Sequence, residues 1–242
     1  MALNNLATFQ VAGLNTTTIT TLTTTQVSTL TSTQVPYLST SSIGALTTTE
    51  IQAFSTTQAN ALTATQLGGL TTTAVGNFST TQVNALNTTQ SQGLTTTQLN
   101  ALSQSYLNAL DINELSTTQA AGLTTTGVTN LTTTQVSTFT SSQINALTSA
   151  QVAVFTTTEL AALTTTQSGA LTSSQVDALG SAKFASLTST TGIPGLSTQA
   201  IAGISTQDIA ALTTTQGNAF TQAHLGVMTS EQLSALVDLL TG

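Results

Sequence analysis

Leu46-Thr47-Thr48-Thr49-Glu50-Ile51-Gln52-Ala53 runs directly into Phe54-Ser55-Thr56-Thr57-Gln58-Ala59-Asn60-Ala61. The pattern the two stretches share is Leu/Phe-Thr/Ser-Thr-Thr-Gln-Val-x-Ala, and it recurs along almost the whole chain. Its first position, the apolar anchor, is occupied by Leu6, Leu14, Leu22, Leu30, Leu38, Leu46, Phe54, Leu62, Leu70, Phe78, Leu86, Leu94, Leu102 and Leu110, each eight residues after the last. Asp111-Ile112-Asn113-Glu114 then breaks the register. The eight-residue spacing resumes from Leu115 to Leu187, slips by one residue across 188–195, and continues from Leu196 to Leu236. A short period sustained this long marks a repeat array in which each unit contacts mainly its neighbours. The chain therefore reads as a single octapeptide-repeat solenoid over 1–242, with register breaks at 111–114 and 188–195.

Three local structures compete for the octad. One continuous helix fits badly, because eight residues at about 100° each overshoot two turns by about 80° and wind the Leu stripe around the rod. Runs of Thr also have poor helix propensity. A strand would point the anchor and the sixth residue to opposite faces, and a β-solenoid with two apolar faces is the alternative reading.

A helix restarted in every octad fits best. With Thr47 as N-cap, Glu50 falls at N3, and the two form a capping box that satisfies two orphan backbone donors. Leu46 and Ile51 then occupy N′ and N4, the positions of a hydrophobic staple. Leu131, Thr132, Gln135 and Val136 repeat the arrangement, as do Leu22/Thr23/Gln26/Val27 and Leu171/Thr172/Gln175/Val176. The expected fold is all-α, a solenoid of helices of roughly six residues and about 9 Å, one per octad. Helices this short must be held by stacking on one another.

Composition narrows function more than it names it. Charged residues make up 4% of the 242-residue chain and its formal charge is -7, with a single Lys and no Arg. Nucleic acid and anionic membrane surfaces are therefore poor partners. The absence of Cys excludes disulfides, thiolate metal sites and thiol nucleophiles. No run of apolar residues reaches the roughly 18 of a membrane span, so membrane insertion is not expected. Met1-Ala2-Leu3-Asn4-Asn5 lacks the basic and apolar regions of a signal peptide. Nothing in the sequence calls for a cofactor, and an enzyme is not expected.

The fifth position of the octad is usually Gln but is Glu at Glu50 and Glu159, Asp at Asp208, Ser at Ser42, Lys at Lys183 and His at His224. His224, the one His, reads as an exposed side chain in the Gln position, and so does Lys183. Asp111 and Glu114, spaced as a capping box, read as the start of a truncated unit. Gly192-Ile193-Pro194-Gly195 reads as a turn. The apolar, helix-like stretch 233–240 reads as a terminal cap on the last unit, or as an export signal of the C-terminal kind.

The octad resembles the Leu-Thr-x-x-Gln-Val-x-Ala repeats of large bacterial surface and exported proteins, with Leu131 to Val136 and Leu147 to Val152 as typical instances. The resemblance covers most of the chain and implies an extracellular, structural setting; it supplies no catalytic residues. Short hydroxyls and amides with few charges suit packing against copies of the same chain, because charge repulsion is low. Apolar residues near both ends, Leu3 and Leu6 at one and Val237, Leu239 and Leu240 at the other, suit head-to-tail contact, which makes a filament when it does not close. The expected function is a self-assembling extracellular filament, sheath or matrix subunit whose partner is itself. An adhesin stalk or a Thr-ladder module for a surface glycan or ice is the alternative.

Overall fold

The computed structural model describes residues 2–242, and among them there is no strand. The β-solenoid alternative is thereby set aside, and the all-α solenoid of very short helices is the fold. Helices such as Thr48–Gln52, Thr56–Ala59 and Thr72–Val75 are four or five residues long and follow one another at the octad spacing. The chain redirects at the anchor and the N-cap. Between Ala64–Gly69 and Thr72–Val75, Leu70 (φ -70, ψ 152) and Thr71 (φ -69, ψ 159) are both extended before the next helix begins.

The core comes from two positions per octad. The residue at the octad's sixth position is sealed from solvent: Val11, Ile19, Val27, Val35, Ile43 and Ile51 are each 0% exposed. From Leu30 onward most anchors are buried as well, including Leu38, Leu46, Phe54 and Leu62. Each such side chain contributes about 1.5–3 kcal/mol on leaving water, which a four-residue helix cannot obtain alone.

The chain forms two compact units, Met1–Gln119 and Ala120–Gly242. Within each unit a helix stacks on the third one after it. In the first, Ala64–Gly69 packs on Thr88–Gly93 and Thr72–Val75 on Thr96–Ala101; in the second, Thr133–Thr138 packs on Thr157–Ala161 and Ser141–Ala146 on Thr165–Gly169. Three octads, 24 residues, therefore make one superhelical turn. Stacking is close enough that a Cβ on Gly93 would lie 2.6 Å from the Ala64 Cα.

Both irregular segments keep this three-sided plan. At the first, the 3-10 turn Ile112–Glu114 takes the place of a helix. The capping-box reading fails there, because the Glu114 carboxylate accepts from Thr88 Oγ1 and Ser91 Oγ, both at 3.2 Å, on the turn before. At the second, the stretch through Gly192 and Pro194 is a chain of turns, as expected from its composition, and buries Ile193. Gly180 (φ 66) joins two octad helices into the longer segment Ser173–Phe184. Among the described residues no helix is long and apolar enough to cross a membrane.

Candidate functional site

Most octad helices begin with the hydrogen bonds anticipated for them, although Thr16–Ile19, Thr72–Val75, Gln104–Leu107 and Thr125–Thr129 lack the full capping box. The Thr47 N–H donates to Glu50 Oε2 at 2.7 Å while the Glu50 N–H donates to Thr47 Oγ1 at 3.3 Å. At the second quoted instance the Thr132 N–H donates to Gln135 Oε1 at 3.1 Å and the Gln135 N–H to Thr132 Oγ1 at 3.2 Å. Their apolar companions Leu46, Ile51, Leu131 and Val136 are all buried.

The Gln position does more than cap. Gln66 Oε1 accepts the Thr63 N–H at 2.8 Å, and its Nε2 donates to the carbonyls of Val35 at 3.1 Å and Leu38 at 2.7 Å. Gln66 lies four residues past its own anchor Leu62, so Leu38 is the anchor one full turn earlier. The same pair of cross-turn bonds joins Gln90 to Ala59 and Leu62, Gln151 to Ala120 and Leu123, and Gln175 to Ile144 and Leu147. A primary amide suits this point because one group offers an acceptor oxygen and two N–H donors. Every buried polar atom of the side chain is then bonded, as burial demands. The result is a one-way ladder in which later turns donate and earlier turns accept.

The exposed reading of this position is therefore corrected. Gln66, Gln98 and Gln143 are buried, and His224 is only 3% exposed. His224 imitates the amide: its Nδ1 accepts the Thr221 N–H at 3.2 Å and its Nε2 lies 2.8 Å from the Leu196 carbonyl. Those partners assign the proton to Nε2. The imidazole stands edge-on to Phe220, with ring centroids 6.1 Å apart. Lys183 Nζ donates to the Ala153 carbonyl, and the hydroxyls of Ser42 and Thr191 reach Leu14 and Leu163. Because the ladder counts units rather than residues, it survives both register breaks. Gln119 reaches Ser91 and Leu94, and Gln216 reaches Ala185 and Leu187.

Three positions hold a carboxylate instead. Glu50, Glu159 and Asp208 are buried and accept the N-cap N–H of Thr47, Thr156 and Ser205 at 2.7 Å each. The helix N-terminus favours the negative charge there. A carboxylate has no N–H to give to the turn below, so these units lack the cross-turn bonds.

The end residues fall into two settings. Leu3 is buried and its carbonyl accepts from Gln34 Nε2 at 2.9 Å, while Leu6 is half-buried. At the other end Leu239 and Leu240 close over Gly217, where an added Cβ would lie 2.9 and 3.2 Å from their Cδ2 atoms. Val237 faces outward, 57% exposed. The stretch 233–240 is thus part of the helix Ser230–Thr241 and packs on Thr214–Gly217 as a cap. Among the described residues no group of three or more His, Cys, Asp or Glu could hold a metal ion. No protein family, curated protein or solved structure matches the chain.

Proposed function

We propose that the chain is a structural protein that assembles with copies of itself, head-to-tail, into an extracellular filament, sheath or matrix. The observation that carries this reading is where exposed apolar surface lies. Among the described residues Phe9 (75% exposed), Tyr37, Leu225, Val227, Val237 and Leu240 are the exposed large apolar side chains, and all lie before residue 38 or after residue 224. Exposed apolar patches mark interaction surfaces, and here all but Tyr37, which lies in the second turn, belong to the end turns of the array. The remaining outward surface is dominated by Thr and Ser hydroxyls with little charge to hold copies apart. The likeness of the octad to repeats of bacterial surface proteins supports the extracellular part of the reading.

Negative-stain microscopy and sedimentation velocity on the purified chain test it. Filaments or sheets whose length grows with protein concentration are expected. Single copies at every salt and protein concentration would sink the proposal.

A further inference from the structure

Between Gln175 and Gln216 the glutamine ladder has its longest gap: four successive octads hold Lys183, Thr191, Ala200 and Asp208 in the Gln position. Thr191 keeps one bond to the turn before, its Oγ1 donating to the Leu163 carbonyl at 3.2 Å. Ala200 has no side-chain donor, and Asp208 accepts from Ser205 but has no N–H to give. Lys183 is the single Lys or Arg of the chain. Its ammonium donates to the Ala153 carbonyl but carries no acceptor, so its octad has no capping box. The N-cap position there is Gly180, at φ 66 and ψ 165, where the octad before has Thr172 at φ -83 and ψ 162. The irregular stretch 188–195 falls in the same turn, so the part of the array with the fewest amide ties is also the least regular.

Stacking places this one cation between two carboxylates. Ala153 lies just before the anchor Phe155, so Lys183 stands on the octad of Phe155, which holds Glu159. Gln216 reaches Leu187, so the octad of Leu212 stands on that of Leu187. One octad earlier, that of Ile204 with Asp208 stands on that of Leu179 with Lys183, and the helix Thr206–Ala210 packs on Ser173–Phe184. Glu159, Lys183 and Asp208 therefore occupy the same position of three successive turns. Glu159 and Asp208 are buried and Lys183 is half-buried, whereas Asp177 on the same segment is exposed. Glu50, the third carboxylate of this kind, has the uncharged Gln26 and Ala74 in the corresponding position of the turns before and after.

We infer that Glu159, Lys183 and Asp208 form an electrostatic clamp that holds the turn 179–203 between its neighbours where the glutamine ladder is missing. Packed helices lie about 8–10 Å apart, and opposite charges at that separation in a partly buried setting shift a local equilibrium on the order of tenfold. Such an attraction needs no direct contact and no fixed angle. It therefore tolerates the irregular path of 188–195, which a hydrogen bond of set geometry would not.

Amide hydrogen exchange on the whole 242-residue chain, read by mass spectrometry, tests the clamp through a cycle of variants. Lys183→Met keeps an unbranched side chain and removes both the charge and the donor. It is made in the parent chain and in a Glu159→Gln/Asp208→Asn background. The lost bond to Ala153 is common to both arms, so the difference between them isolates the charge coupling. Lys183→Met should speed exchange over 179–203 by about tenfold more in the parent than in the neutral background. Equal acceleration in the two backgrounds would overturn the clamp and leave Lys183 as a donor alone. If Lys183→Met keeps the parent from folding, helical circular dichroism regained in the neutral background supports the clamp, and failure to fold in both overturns it.

Discussion

The first turn of the array and its last are built from nearly the same octads and differ in what they leave unbonded. Leu6, Leu14 and Leu22 are half-buried, whereas Leu212, Phe220 and Met228 are buried at 5, 7 and 8% exposure. Among the described residues the first turn has glutamine amides without carbonyls, and the last has anchor carbonyls without amides. The last turn also carries the twelve-residue helix Ser230–Thr241 across part of its face, whereas the described residues before Leu6 form only the 3-10 turn Leu3–Asn5. What differs is position along a ladder of fixed direction. A repeat array held by one-way hydrogen bonds has unlike ends even when its units are identical.

The largest expected effect comes from removing one glutamine amide inside the array and one at its start. Gln90→Ala deletes a cap acceptor and both cross-turn donors, leaving the buried Leu62 carbonyl without a partner. Urea denaturation should show a loss of about 2–4 kcal/mol, the sum of a lost cap and an orphaned buried acceptor. Gln26→Ala loses only the cap and should cost about 1 kcal/mol. Equal losses would break the comparison, because the amide would then contribute nothing across turns.

Much of this fold was legible in single octads. Leu46, Thr47, Glu50 and Ile51 sit at spacings that a restarted helix explains better than a strand, and those same residues form the box and the buried pair. The three-sided turn was not legible, since nothing within eight residues says which later octad stacks on which. The burial of the Gln position was also missed, and a signal for it existed. Glu caps a helix as well as Gln does, yet Gln fills this position in most units. A preference for the amide over the carboxylate means that a donor is needed, and a donor needed at a regular position implies a neighbouring turn. The irregular segment at Asp111 and Glu114 misled for a related reason. Its Asp-x-x-Glu spacing matches a local motif, but the carboxylate finds hydroxyls on Thr88 and Ser91 that no local pattern reveals.

Glycines at the two ends should respond in opposite senses to a methyl group. Gly13 closes the first octad helix in the right-handed region (φ -80, ψ -7) and is exposed, its nearest obstacle a backbone carbonyl at 3.3 Å. Gly13→Ala should raise stability by about 0.4–1 kcal/mol, through a less flexible unfolded chain. Gly217→Ala should instead cost about 1 kcal/mol, because the leucines of the terminal helix must move off their contact. Thermal midpoints of the two variants check the pair, and a stabilised Gly217→Ala would mean that the terminal helix is not seated. An effect of similar size is expected where a carboxylate replaces the amide. Glu50→Gln supplies a donor to the Leu22 carbonyl on the turn before, and should add about 0.5–1.5 kcal/mol in urea denaturation. No gain there would show that Glu50 already makes up for the missing bond.

The finest contrast between the ends is electrostatic. Glu231, in the first turn of the terminal helix, is held below its ordinary pKa of 4.5, chiefly by a hydrogen bond from its own backbone N–H and secondarily by the Thr229 hydroxyl. A carboxylate whose pKa is depressed by folding stabilises the folded state above its ordinary value, and that stabilisation is lost as pH falls through the lowered one. Acidification below pH 4.5 should therefore loosen the helix Ser230–Thr241, read as faster amide hydrogen exchange over 233–241. The first-turn helices Thr8–Ala12, Thr16–Ile19 and Thr24–Val27 have no acidic residue in their opening turns and should not respond through such a group. Glu231→Gln should remove the acid-dependent part of the exchange at the last turn and leave the first turn unchanged. If the variant titrates like the parent, the acid sensitivity of that helix lies in another group, and the difference between the ends is one of hydrogen-bond direction alone.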